Sequence, residues 1–73
     1  MNFFRKILGK TYLANTHTGE IHDLSVNDKH CKGEARVARH NRKYVTLRGV
    51  KKLIATGHYN GCRWCFSRYN TDK

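Results

Sequence analysis

A chain of 73 residues holds one domain whose core is thin for its surface, a size at which folding normally needs a staple. Fifteen Lys and Arg against five Asp and Glu give a formal net charge of +10, while 38% hydrophobic residues suffice for collapse. The balance excludes a disordered polar tail and points to anionic partners, nucleic acid ahead of acidic proteins or anionic lipid.

In chain order, residues 1–10 (MNFFRKILGK) form a short amphipathic segment. Phe3, Phe4, Ile7 and Leu8 make an apolar face against Arg5, Lys6 and Lys10, too short to span a bilayer and without a small-residue cleavage site. It is read as docked on its own domain, with no stable membrane insertion. Thr11 to Asn15 and Glu20 to Leu24 then read as the two strands of a β-hairpin, with Gly19 supplying positive φ in the loop; Ile21 and His22 face opposite sides.

Ser25 to Lys43 is polar, with Asn27, Asp28 and Gly33 marking turns, and is expected to be a long loop with one helical turn. Tyr44 to Leu47 reads as a short strand. Val50, Leu53 and Ile54 recur at helical spacing, with Arg48, Lys51 and Lys52 elsewhere on the helix surface and Gly57 as its C-cap. The helix runs into His58-Tyr59-Asn60-Gly61 and then the turn of Cys62-Arg63-Trp64-Cys65. The expected fold class is α+β: a small zinc-stabilised domain over residues 11–68, built from a hairpin, a further short strand and a helix leading into the Cys-x-x-Cys turn. Residues 69–73 are a tail.

The chain has three cysteines, so disulfides would leave one thiol over. Three thiolates and one imidazole on a single Zn²⁺ use every thiol and need no oxidising compartment, which suits a cytoplasmic protein. Cys62 and Cys65 have the spacing that lets two sulfurs converge on one tetrahedral ion, and a chain this short offers no βαβ context for a redox pair. Cys31 is then the third ligand. The fourth is one of His17, His22, His30, His40 and His58; His22 is preferred because a strand fixes its direction, with His30, the immediate neighbour of Cys31, as the main rival. Asp23 is read as an exposed carboxylate rather than as a group that orients the imidazole. A closed site of this kind leaves no position for a substrate, so the metal is expected to be structural and the protein not an enzyme.

With His22, Cys31, a strand, a helix, Gly57 and Cys62-x-x-Cys65 in that order, the chain resembles the metal-binding domain of the Ada DNA-repair protein and the small Ada-like zinc modules of bacterial and phage proteins. The likeness covers about residues 11 to 66 and rests on the hairpin and on the run VTLRGVKKLIATGHYNGCRWC. It implies the zinc fold and an affinity for DNA, and, for a phage protein, residence in the host cytoplasm. In the repair family an early cysteine accepts a methyl group from a DNA phosphotriester. His22 stands at that position here, and imidazole does not reproduce thiolate chemistry, so the resemblance does not extend to methyl transfer.

The functional expectation is a non-enzymatic module that binds nucleic acid, DNA first, with weak sequence specificity. Its phosphate-binding surface is Lys32, Arg36, Arg39, Arg42, Lys43, Arg48, Lys51 and Lys52, extended by Arg63 and Arg68 beside the metal. Tyr44, Tyr59 and Trp64 are the aromatic residues able to stack on a base where exposed, although Trp64 and Phe66 are expected to be buried near the metal. The alternative is a regulator docking on an acidic host replication or transcription protein, anchored by Phe3, Phe4, Ile7 and Leu8. Nothing in the sequence suggests a small-molecule substrate, and five acidic residues offer no carboxylate cluster for a nuclease.

Overall fold

The structure, a computed structural model, describes residues 9–26, 30, 31 and 33–70. Lys32, the turn residues Asn27 and Asp28, and the amphipathic face of Phe3, Phe4, Ile7 and Leu8 lie outside the described residues.

Four strands form one mixed sheet: β1 (Tyr12–Asn15), β2 (Glu20–Asp23), β3 (Arg42–Val45) and β4 (Asn60–Gly61), in the order β3-β1-β2-β4. β1 pairs antiparallel with β2 and β3, and β4 runs parallel to β2. The expected hairpin is present. Its loop is closed by Asn15, whose Oδ1 accepts from the backbone N–H of His17 and Thr18 while its carbonyl accepts from Gly19 N–H. Gly19 has φ +79°, and a side chain there would run into the His58 carbonyl. The loop therefore requires glycine twice over.

β3 begins at Arg42, two residues before the expected strand, and Leu47 belongs to the helix that follows. Arg42 and Lys43 are paired backbone rather than loop, because Asn15 and Ala14 of β1 supply partners that make a charged segment extended. The only α-helix among the described residues, α1 (Leu47–Ala55), starts at Thr46, whose hydroxyl accepts the Gly49 N–H at 3.2 Å. It ends at Thr56, with Gly57 beyond it at φ +83° donating its N–H to Ile54. Val50 is fully buried and Leu47, Leu53 and Ile54 are partly buried, while Arg48, Lys51 and Lys52 face solvent.

The pairing registers place Tyr12, Ala14, Ile21 and Val45 on one sheet face and Leu13, His22 and Tyr44 on the other. The first face packs against α1 and the C-terminal segment in a core of Ala14, Ile21, Val45, Val50, Cys62, Cys65 and Phe66. The second is covered by the 33–37 segment, which contains a 3-10 turn at Gly33–Arg36 and the buried Val37. Arg42 holds that cover in place: its Nε donates to the Val37 carbonyl at 2.8 Å and its Nη2 to the Glu34 carbonyl at 2.9 Å. The Tyr44 hydroxyl bonds the Glu34 carboxylate. Ile21 and His22, which point to opposite faces, are consequently both buried.

Candidate metal centre

The end of β2 brings the first ligand into position. Its far edge brings the last two: the N–H groups of Asn60 and Cys62 donate to the carbonyls of Gly19 and Ile21, both at 2.8 Å, and this short parallel ladder delivers Cys62 beside the strand that carries His22. Gly61 makes the approach possible, since a Cβ there would lie 2.5 Å from the Phe66 carbonyl oxygen and 2.9 Å from the Tyr69 Cβ. The chain then turns, with Phe66 N–H donating to the Cys62 carbonyl at 2.9 Å, and Cys65 comes back towards Asp23.

His22, Cys31, Cys62 and Cys65 form one cluster, their ligand atoms all within 4.8 Å of one another. The Cys31 sulfur lies 3.2 Å from His22 Nδ1, 3.6 Å from the Cys62 sulfur and 3.7 Å from the Cys65 sulfur; His22 Nδ1 to Cys65 is 3.5 Å. All three cysteines are free, and the sulfurs stand far outside the roughly 2.0 Å of a disulfide. A tetrahedral ion with metal–sulfur bonds of about 2.3 Å and a metal–nitrogen bond of about 2.0 Å requires sulfur–sulfur edges near 3.8 Å and nitrogen–sulfur edges near 3.6 Å. The four edges from Cys31 and from His22 to Cys65 lie within a few tenths of an ångström of those lengths and every ligand atom is within 4.8 Å of the others, so these four residues are able to hold a single ion.

Each sulfur also receives a backbone N–H: Asp23 to Cys65 at 3.4 Å, Trp64 to Cys62 at 3.4 Å, and Gly33 to Cys31. Such donors favour thiolate over thiol. Burial works against them and dominates, pushing the Cys31 and Cys65 thiols above their ordinary value. Burial likewise pushes His22 down, with Glu20 opposing it, which leaves the imidazole in the neutral form that ligates metal. A divalent cation at the centre reverses the balance at sulfur by compensating the negative charge directly.

The outer nitrogen of His22, Nε2, lies 3.2 Å from Glu20 Oε1. The carboxylate that orients the ligand is therefore Glu20, two residues back on the same strand face, and not Asp23. Asp23 is buried rather than exposed, with its side chain accepting from the Ser25 N–H and hydroxyl. A strand carries residues i and i+2 on one face, so Glu20 was within reach of sequence reasoning through that periodicity.

Among the candidate imidazoles, His22 is in the cluster. His17, His30, His40 and His58 are exposed, and His30 stacks on Trp64 instead, with ring centroids 4.8 Å apart. Trp64 is 47% exposed, against the expectation of burial: the turn that aims Cys62 and Cys65 inwards leaves the residues between them pointing out. Phe66 is 2% exposed, stacked on Tyr12 and buried as expected.

The proposed phosphate contacts are more dispersed. Arg36, Arg39, Lys43, Arg48, Lys51, Lys52, Arg63 and Arg68 are exposed, whereas Arg42 is half-buried and committed to the 33–37 carbonyls. Arg68 lies over the Phe66 ring at 5.2 Å and donates to the Tyr12 hydroxyl at 3.3 Å. Among the described residues no helix is long and apolar enough to cross a membrane. Comparison with protein-family models, curated proteins and solved structures returns no match.

Proposed function

We propose that the protein is a non-enzymatic zinc module that binds nucleic acid, DNA first, through its basic surface. The donor set carries the zinc reading. Three thiolates and one imidazole within 4.8 Å of one another suit Zn²⁺, and a four-ligand centre keeps no open position for substrate or water. The order His22, Cys31, Cys62-x-x-Cys65 supports the likeness to Ada-type modules, with the imidazole in place of the methyl-accepting thiolate.

The nucleic-acid reading rests on a net charge of +10 combined with a helix whose outward face is Arg48, Lys51 and Lys52. These side chains stand on a rigid element, without partners of opposite sign in the surrounding sequence. In this reading Arg42 leaves the set of phosphate contacts proposed from the sequence, since its guanidinium holds backbone carbonyls.

The test is a salt titration of the zinc-loaded protein on short duplex DNA. Affinity should fall steeply with salt, and replacing Arg48, Lys51 and Lys52 with alanine should flatten the log–log slope by about 2 to 3, at roughly 0.9 per phosphate contact. An unchanged slope removes this face from the interface; no binding at low salt removes the reading.

A further inference from the structure

Among the described residues, the one large aromatic side chain exposed beside the metal turn is Trp64, flanked by Arg63 with its guanidinium carbon 5.1 Å from the ring centroid and by the His30 ring stacked at 4.8 Å and 19°. Of the three aromatics able to stack on a base, Tyr44 and Tyr59 are half-buried. The backbone that carries Trp64 is held: its main-chain N–H is tied to the Cys62 sulfur, Cys62 N–H is tied to the sheet at Ile21, and Phe66 N–H closes the turn onto the Cys62 carbonyl. The indole itself is ordered by the stacked His30 ring, which lowers the freedom it loses on binding.

Building on the nucleic-acid reading above, we propose that Trp64 is the stacking platform of a site for single-stranded nucleic acid, with an unpaired base on the indole. The base takes the place of Arg63, an exposed side chain already attracted to the ring, and the released guanidinium turns to the adjoining phosphate. Arg68, in the next 3-10 turn (Ser67–Tyr69), is a further exposed cation on the same C-terminal segment. A flat π partner explains the choice of ligand: in a duplex the base faces are covered by their neighbours, and only a splayed base presents one to a protruding indole. The positive charge around the ring complements phosphate and disfavours a basic or neutral peptide.

Equilibrium binding of the zinc-loaded protein to oligothymidylate, oligouridylate, an abasic strand of equal length and a duplex tests the proposal. Wild type is expected to bind either single strand roughly ten- to a hundredfold more tightly than the abasic strand, the range of one or two stacked bases. Trp64→Ala should erase that difference and leave the affinity for duplex and abasic strand unchanged. Trp64→Phe should recover part of it, which shows that the fold and metal turn survive substitution. Equal binding of normal and abasic strands by wild type, or an equal loss on duplex in Trp64→Ala, overturns the stacking site while the basic-surface reading stands. Failure of wild type to bind any of the four removes both.

Discussion

Glu20 and His22 set the quality of the centre more than their position near a surface suggests. With Oε1 3.2 Å from Nε2, the carboxylate fixes which imidazole nitrogen carries the proton and leaves Nδ1 to the ion. Replacing Glu20 with glutamine should weaken zinc binding by about ten- to a hundredfold while the loaded protein keeps its fold, as read by competition with a chromophoric chelator. Glutamic acid at this position is otherwise an ordinary half-exposed strand residue, and only its distance to Nε2 sets it apart. The four members of the cluster were legible because three thiols and a strand-borne imidazole suit one tetrahedral ion. Which way Trp64 points was not, since the sequence shows two ligands two residues apart but not which side of their turn meets water. The structural role of Arg42 was hidden for a related reason: an arginine in a basic run looks like its neighbours until its carbonyl partners are known.

At the level of elements, the hairpin and α1 could be read from the chain because each carries its own local signals, a glycine turn for one and apolar spacing ending at Gly57 for the other. β4 could not. Asn60–Gly61 is two residues long, has turn-forming composition, and exists as a strand only because β2 offers it an edge. That short ladder makes Gly61 the sensitive position. A methyl group in Gly61→Ala meets the Phe66 carbonyl and Tyr69, and overpacking of this kind costs about 1–3 kcal/mol. Thermal unfolding of the zinc-loaded variant should shift accordingly, and its metal affinity should fall with it because the same residue delivers Cys62. An alanine variant with unchanged melting temperature and affinity would show that the ladder does not position the turn.

Over the whole molecule, an ion held by the cluster would take the place of a larger core. Two of its ligands, Cys62 and Cys65, are themselves core residues, and a structural zinc supplies on the order of 10 kcal/mol at neutral pH, comparable with the total stability of a small domain. Chelation should therefore abolish cooperative unfolding, and zinc should restore it, as followed by circular dichroism. Protons must leave for the ion to bind. Raised thiols at Cys31 and Cys65 mean that loading at pH 7 releases two to three protons per ion, as measured with an indicator dye in weak buffer. Apparent affinity should then fall by up to roughly a thousandfold for each pH unit of acidification. The sign is opposite without metal: thiols raised by burial favour the folded chain below the ordinary thiol range, and that contribution is lost as pH climbs through their raised values.

The parallel pairing of β4 with β2 also has a consequence in time. His22 and Cys65 are separated by 43 positions, and the amide of Cys62 closes on Ile21. A ribosome that has released the hairpin and α1 has released half a site and an open sheet edge, with no ion able to hold them. A four-ligand site cannot be completed until synthesis has passed Cys65, and a shortened product lacking the final turn would be left with His22 and Cys31 alone.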